Sequence, residues 1–189
     1  MLKKINLKEF KDLYRKHIVR DFPREERRSL NKFKKRVTRG KEEVYVYLEN
    51  GQEKAYTIIV ILNNYVMVSF LAVFKQYRGE GIGTKLLKEI KDNFSNKKGI
   101  LLEVENPKYN KDEKEKEIRQ RRIKFYEKSN YNIIDGVEVN SHSIMFNIMI
   151  LNINNEKIDK QEIAKELNDF YTEIFRKYDK NLSFEIIEN

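Results

Sequence analysis

A glycine-rich stretch in the middle of the chain constrains the fold more than any other feature. It reads Gln76-Tyr77-Arg78-Gly79-Glu80-Gly81-Ile82-Gly83-Thr84. An apolar run at residues 65–74 precedes it, and apolar residues at helical spacing follow it, at positions 82, 86, 87, 90 and 94. We therefore expect a strand, a tight turn and a helix. Such a turn directs backbone N–H groups and the positive end of the helix dipole at one point, which suits a phosphate or pyrophosphate group.

The spacing of this turn excludes two common phosphate loops. The nucleoside-triphosphate loop needs a glycine, four residues, and then Gly-Lys followed by Ser or Thr, whereas Gly83 is followed here by Thr84 and Lys85. The dinucleotide fingerprint needs Gly-x-Gly-x-x-Gly, whereas glycines occupy the alternate positions 79, 81 and 83. The bound group must therefore be predicted from the rest of the chain.

Length and composition limit the classes of protein to which the chain can belong. A chain of 189 residues is expected to form one domain with an appendage. It contains no cysteine, which excludes disulfides, thiolate metal sites and a cysteine nucleophile, and which fits a reducing compartment. We find no signal peptide and no apolar run of membrane-spanning length. The sequence thus predicts a cytoplasmic protein without a membrane partner.

The formal net charge of +9 has two interpretations. Clustered lysines and arginines could neutralise nucleic-acid phosphates, or they could form a solvated basic surface. Lysines are spread along the whole chain and mixed with glutamates, which favours the solvated surface. We therefore expect no nucleic-acid partner, although a basic rim could attract an anionic cofactor.

Apolar periodicity and turn residues predict the other elements. The order is helices at 7–18 and 24–38, strands at 43–49, 54–62 and 65–74, a helix to about 93, a strand at 100–106, a helix at 111–128, strands at 132–134 and 143–151 around a turn at 135–136, and a last helix at 159–178. A strand, helix, strand order implies a parallel crossover. The predicted fold class is α/β, with an antiparallel meander followed by a parallel strand pair, flanking helices and an added C-terminal helix.

Three segments resemble the GNAT superfamily of N-acetyltransferases. They are Phe70-Leu71-Ala72-Val73 leading to Tyr77-Arg78-Gly79-Glu80-Gly81-Ile82-Gly83, then Leu102-Glu103-Val104-Glu105, and then Arg122-Ile123-Lys124-Phe125-Tyr126-Glu127-Lys128. The first is similar to the acyl-coenzyme A signature of that superfamily. The resemblance implies a GNAT-like mixed sheet in a domain at 1–151. Residues 152–189 are then expected to be a helical extension, packed on the domain or at an interface.

The resemblance also implies the cofactor and the residues that hold it. Acetyl-coenzyme A is the expected co-substrate, and no metal is expected. The expected ligands of its pyrophosphate are the amides of Arg78, Gly79, Glu80, Gly81, Ile82, Gly83 and Thr84. The main chain of Leu71, Ala72 and Val73 would pair with the pantetheine arm, and an N–H there, that of Val73, would face the thioester oxygen. Losing one such donor typically costs about 3 to 4 kcal/mol of transition-state stabilisation. The alternative is a helix cap without a ligand.

By the same resemblance, Tyr126 protonates the departing thiolate. A phenol held within hydrogen-bond reach of the sulfur can act as a general acid. The alternative is that Phe125 and Tyr126 are ordinary core aromatics. Tyr131 stands where the family usually has Gly-Phe, and we expect it to pack in the core.

Glu103 and Glu105 are candidates for the general base. They lie two residues apart on a predicted strand, so they project to one face, roughly 6 to 7 Å apart. Neighbouring carboxylates can raise the pKa of one another, which suits a base. The alternative is that they pair with Arg119, Arg121 or Arg122 of the next helix. Ser69 stands where relatives often carry an acid, and His17 and His142 are expected to be surface or structural residues.

These observations predict an N-acetyltransferase that works by direct transfer in a ternary complex. The acceptor would be a primary amine on a small molecule or a peptide, and the protein would be a monomer or a homodimer. The alternative is a non-catalytic module that binds acyl-coenzyme A and presents a basic interaction surface. The sequence does not identify the acceptor, because specificity lies in the first helices and the loops.

Overall fold

A computed structural model describes residues 1–22, 24, 27–141, 144–175 and 184–188. Backbone contacts divide the chain into two units. The first unit contains residues 1–61 and 67–94, and the second contains residues 62–66 and 95–189.

The first unit consists of a meander of strands and of the helices that precede and follow this meander in the chain. Its elements are β1 (Leu2–Lys4), α1 (Leu7–Leu13), a π-helical turn (Tyr14–Ile18), α2 (Val19–Asp21), α3 (Leu30–Thr38), β2 (Glu42–Glu49), β3 (Gln52–Ile61), most of β4 (Tyr65–Val73), a 3₁₀ turn (Lys75–Tyr77) and α4 (Ile82–Asn93). The strand order is β1-β2-β3-β4, and β2 pairs antiparallel with both β1 and β3. The predicted antiparallel pairing of the strands at 43–49 and 54–62 is therefore confirmed, and Asn50 and Gly51 form the turn between them.

Aromatic side chains form the core of the first unit. The rings of Phe10, Tyr14 and Phe33 pack edge to face at centroid distances of 5.8 to 6.2 Å. Phe33 also lies 5.5 Å from Phe70 of β4. Edge-to-face packing is favourable for aromatic pairs at these distances. The apolar stripe of the first helix is thus buried against α3 and the sheet.

The second unit combines four strands with two helices. Its elements are β5 (Gly99–Glu105), a 3₁₀ turn (Pro107–Tyr109), α5 (Glu113–Glu127), β6 (Asn132–Ser141), β7 (Ile144–Asn152), α6 (Lys160–Phe175) and β8 (Phe184–Glu188). The strand order is β5-β7-β6-β8, and each of these three pairings is antiparallel. Glu103 pairs with Ile148 and Glu105 with Phe146 in the register of β5 and β7.

The second predicted helix starts later than its sequence pattern indicates. Ser29 is its N-cap, with φ −62° and ψ 152°, and its side chain accepts a hydrogen bond from the N–H of Lys32. A serine at this position ends the extended chain and starts the helix. Pro23, Glu25 and Glu26, near the predicted start of this helix at residue 24, lie outside the described residues.

Two further predictions about strands are wrong. The predicted turn at Asp135 and Gly136 lies within the continuous strand β6, where the pairing with β7 shifts register between Ile133 and Glu138. Gly136 adopts φ +77°, which a bulge requires and which glycine adopts without strain. The strands β1 and β8 were not predicted, because such short segments carry little periodicity of their own. The predicted end of the last helix, 176–178, lies outside the described residues.

Helix α6 is held in the second unit by polar contacts as well as by its apolar face. Ile163 and Leu167 are fully buried. Glu162 accepts hydrogen bonds from the hydroxyl of Tyr65 at 3.0 Å and from Lys98 at 2.8 Å. Among the described residues, no helix is long and apolar enough to cross a membrane.

Candidate active site

The predicted glycine turn lies between β4 and α4 of the first unit. Gly79 has φ +86° and Gly81 has φ +73° with ψ +7°. A Cβ added at either position would meet no atom within 4 Å. The backbone angle therefore requires glycine here, and the space beside the turn is open.

The first turn of α4 presents backbone donors to this open space. Gly81 is the N-cap, and it has no side chain that could accept a hydrogen bond from the amides that follow. The first N–H groups of a helix have no partner within the helix, and in α4 these belong to Ile82, Gly83 and Thr84. Together with the helix dipole they form an anion-binding geometry. The geometry fits the predicted pyrophosphate site, and the contacts themselves stay a prediction.

Charged side chains surround the turn. Lys54 and Lys85 each lie 2.7 Å from a carboxylate oxygen of Glu49. These two hydrogen bonds lower the pKa of Glu49 to about 2. Lys54 also lies 3.9 Å from Glu80, one of the predicted site residues. Arg78 lies near a third carboxylate, that of Asp21, so three cationic groups and three carboxylates surround the turn and their charges balance.

Arg78 connects the turn to the end of β4. Its Nε donates a hydrogen bond to the carbonyl oxygen of Val73 at 3.0 Å. Its Nη2 lies 3.8 Å from Oδ1 of Asp21, and its side chain is 57% exposed. The guanidinium is therefore held at one end and is accessible to a ligand at the other.

The main chain of β4 has the direction that the predicted pantetheine contact needs. The N–H of Phe74 donates to the carbonyl oxygen of Lys54 in β3 at 2.9 Å. Successive residues of a strand direct their amides to opposite sides, so the N–H of Val73 is directed away from β3. Leu71 and Val73 are half-buried and Ala72 is buried. A thioester oxygen could thus reach the amide of Val73 without displacing β3.

Tyr126 belongs to α5 in the second unit. Its side chain is half-buried, and its ring lies 5.0 Å from that of Phe125 and 6.0 Å from that of Tyr131. Burial raises its pKa above the usual value of 10.0, although the charge of Arg122 opposes this shift. The phenol is therefore protonated at neutral pH, as a general acid must be. Tyr131 is fully buried, which agrees with its predicted packing role.

Of the two candidate bases, Glu105 is paired with arginines of the next helix. It lies 3.2 Å from Nη2 of Arg119, and it also accepts a hydrogen bond from Arg122. This is the structural alternative that the sequence left open, in which Glu105 joins β5 to α5 through two arginines. Glu103 is half-buried in the middle of β5. A catalytic role for either residue stays a prediction.

Sequence reasoning missed a group of side chains near the end of β4. His17, in the π-helical turn, stacks on Phe74 with 4.3 Å between ring centroids. Asp21 accepts a hydrogen bond from the hydroxyl of Tyr56 at 2.8 Å. The predicted helix ends at residue 18, so no local signal placed Asp21 beside His17. Among the described residues, no group of three or more His, Asp or Glu could hold a metal ion.

Comparisons with known proteins identify the family. Residues 40–133 match the family model of the acetyltransferase (GNAT) domain. The chain carries a GNAT acetyltransferase domain. The resemblance seen in the three sequence segments is thereby confirmed. A search of curated proteins finds no match to the chain.

Solved structures share the fold of this GNAT protein. A protein from Bacteroides thetaiotaomicron assigned to the GNAT acetyltransferases has a TM-score of 0.75 at 17% identity, over 93% of this chain and 98% of that one. The ribosomal-protein-S18-alanine N-acetyltransferase of Escherichia coli has a TM-score of 0.59 at 17% identity, over 84% and 99%. An aminoglycoside 6'-N-acetyltransferase complexed with coenzyme A has a TM-score of 0.58 at 14% identity, over 84% and 99%. The predicted α/β fold of GNAT type is confirmed.

Proposed function

We propose that this GNAT protein is an N-acetyltransferase that moves an acetyl group from acetyl-coenzyme A directly to a primary amine in a ternary complex. The observation that carries the proposal is the turn before α4. Two glycines at positive φ lead there into a helix whose first amides have no side-chain cap. That turn follows β4, whose Val73 amide is directed away from β3.

The donor side of the reaction is assigned to the first unit. The amides of residues 78–84 bind the pyrophosphate, and the exposed end of Arg78 supplies a positive charge beside it. The main chain of Leu71, Ala72 and Val73 binds the pantetheine arm. The coenzyme A complex of the aminoglycoside acetyltransferase, which shares the fold, supports this choice of donor.

The transfer needs a neutral amine nitrogen, which attacks the thioester carbonyl. A C–N bond forms, the C–S bond breaks, and sulfur leaves with the electron pair. The N–H of Val73 stabilises the negative charge on the carbonyl oxygen, and the protonated phenol of Tyr126 supplies a proton to the thiolate. The role of Tyr126 rests on its position in the GNAT pattern and on its raised pKa.

An amine acceptor is proposed because related folds carry that activity. The S18 enzyme is named for an alanine of a ribosomal protein, and the aminoglycoside enzyme for a 6' nitrogen. Identities of 17% and 14% do not transfer either substrate to this chain. The proposed acceptor class is therefore a primary amine on a small molecule or a peptide.

Calorimetric titration with acetyl-coenzyme A tests the donor site, and we expect binding at micromolar to millimolar ligand. Release of free thiol is then measured against a panel of simple amines, polyamines, aminoglycosides and peptides with free N-termini. Turnover with an amine supports the proposal. Binding without turnover on any amine contradicts it in favour of a non-catalytic coenzyme A-binding module, and absence of binding contradicts both.

A further inference from the structure

Five side chains of the first unit meet at the carboxyl end of β4. We call them the His17 cluster, and they are His17, Asp21, Tyr56, Phe74 and Arg78. The ring of His17 lies 4.3 Å from that of Phe74 and 6.4 Å from that of Tyr56. The rings of Tyr56 and Phe74 lie 5.8 Å apart. The imidazole therefore packs against two aromatic rings, that of Tyr56 on β3 and that of Phe74, the residue that follows β4.

The carboxylate of Asp21 is fixed from two sides. The hydroxyl of Tyr56 donates to Oδ2 at 2.8 Å, and Nη2 of Arg78 lies 3.8 Å from Oδ1, which is longer than a hydrogen bond. The side chain of Asp21 is 21% exposed. The same Arg78 donates to the carbonyl oxygen of Val73. A ligand can thus reach the carboxylate of Asp21. Arg78 connects this carboxylate to the carbonyl oxygen of Val73, the residue whose N–H is the proposed oxyanion donor.

His17 lies in a π-helical turn, between α1 and α2. Single π turns within α-helices are rare and occur frequently at functional sites, because the extra residue turns side chains toward a different face. The next ring along the chain, that of Phe22, packs edge to face on Phe70 at 4.8 Å. The end of this helix is thereby anchored to β4, which holds His17 and Asp21 in place.

The electrostatic surroundings keep the imidazole of His17 neutral. Burial lowers its pKa from the usual value of 6.5, and the positive charges of Arg20 and Lys16 lower it further. The carboxylates of Asp21 and of Glu53, on β3, oppose this shift. Arg78 is the remaining charged member of the cluster. A neutral imidazole at pH 7 has a lone pair that can accept a proton.

We propose that Asp21 and His17 form the acceptor-amine site, in which Asp21 accepts hydrogen bonds from the substrate's ammonium group and His17 takes the proton that this group must lose before attack. The proposal rests on the proposed function. It names the acceptor as a primary amine that arrives protonated. It also assigns the general base to a residue of the first unit in place of Glu103 or Glu105.

Every proton that moves in this step has a donor and an acceptor. One N–H bond of the ammonium breaks, its proton passes to the imidazole, and the nitrogen lone pair forms the C–N bond with the thioester carbonyl. When the C–S bond breaks, Tyr126 gives its proton to the thiolate, and the second proton that the attacking nitrogen loses replaces it on Tyr126. His17 then returns its proton to water. Asp21 takes no part in the proton transfer.

A binding experiment on the full chain tests the site without relying on turnover. The probe is ethylammonium chloride, and the readout is the NMR signal of the His17 imidazole, which the His17→Gln variant assigns because the chain has only two histidines. We expect ethylammonium to shift this signal more than sodium chloride of equal ionic strength does. Asp21→Asn should abolish the difference, and Asp12→Asn, an exposed aspartate of the same helix, should preserve it. An equal response to both salts would overturn the proposal, even if the wild type acetylates amines.

Kinetics with an amine that the panel identifies provides the second test. Asp21→Asn should raise the KM for the amine about tenfold or more, and His17→Gln should lower kcat about a hundredfold at pH 7. The loss in His17→Gln should shrink as the pH rises toward the pKa of the amine, because the amine then needs no base. Binding of acetyl-coenzyme A should be unchanged in His17→Gln. Wild-type kinetics in both variants would overturn the acceptor site while leaving the proposed function standing.

Discussion

At the scale of single residues, Glu42 shows how a buried charge joins a helix to a strand. Its side chain is fully buried at the start of β2, where Arg28 binds it and Nε of Arg36 lies 2.8 Å from its Oε1. The guanidinium of Arg28 also lies 4.3 Å from the centre of the Phe33 ring. Both arginines are directed toward the protein, so they add little to the positive charge of its surface.

Replacing Glu42 by Gln should lower the free energy of unfolding by about 3 to 5 kcal/mol, because two arginines would keep their charges without a buried counter-ion. The control is Asp169→Asn, since Asp169 is 58% exposed and pairs with Lys165 on the surface of α6. An exposed pair contributes about 1 kcal/mol or less. Denaturant unfolding of the two variants measures both effects. An equal loss of unfolding free energy in both variants would show that the buried ion pairs of Glu42 stabilise the protein no more than an exposed pair does.

Tyr126→Phe should lower the rate of thiol release about a hundredfold or more, because the thiolate loses its proton donor. The pKa of Tyr126 lies above its usual value, so the hydroxyl stays protonated between pH 6 and 9, and Tyr126 should cause no fall in rate with rising pH in that range. Tyr45→Phe is the control, because its hydroxyl bonds to Glu43 and Asn93. Undiminished turnover in Tyr126→Phe would remove the proposed acid.

At the scale of elements, the turn before α4 is where local backbone geometry and binding meet. Gly79 and Gly81 are at positive φ, and Gly81 ends the turn at the first residue before the helix. Any other residue at these angles would be strained, and its Cβ would enter the open space that the anion needs. The turn therefore requires glycine for two reasons, which are its backbone angles and the space that the anion needs.

These two requirements can be separated by comparing Gly81→Ala with Gly40→Ala. Both glycines have positive φ, +73° and +66°, and an added Cβ meets nothing within 4 Å at either one. Each variant should lose about 1 to 2 kcal/mol of unfolding free energy. Gly81→Ala alone should weaken acetyl-coenzyme A binding, by about tenfold or more in calorimetry. If both variants bind normally, the turn is a helix start without a ligand.

At the scale of the whole molecule, the C-terminal region is part of the second unit's packing. Ile163, Leu167 and Phe170 of α6 are buried, and β8 pairs with β6. Glu166 of the same helix is also buried and accepts the N–H of Asn64 at 2.9 Å. The predicted division into residues 1–151 and 152–189 stays a prediction about domains, but the contacts of α6 make these residues structurally necessary.

Deleting residues 157–189 should destabilise the chain. Burying one large apolar side chain contributes about 1.5 to 3 kcal/mol, and the deletion removes several. We expect a lower midpoint in thermal unfolding together with binding of a dye that recognises exposed apolar surface. Lys165→Ala, at an exposed position of α6, is the control and should leave the midpoint unchanged. A truncated chain that unfolds at the full-length midpoint would show that the region is an independent appendage.

Much of this protein was determined by the sequence alone, because the signals are local. Alternating apolar residues and the Asn50-Gly51 turn specify the meander, and helical spacing specifies α4. The glycines at 79 and 81 permit the positive φ angles of the turn between them. What only the tertiary structure decided depends on residues far apart in the chain. Asp21 and Tyr56 are 35 positions apart, and no periodicity links them. The partners of Glu42 and Glu105, the bulge in β6 and the cluster around His17 have the same origin, because side-chain pairing between elements is set by packing and not by local pattern.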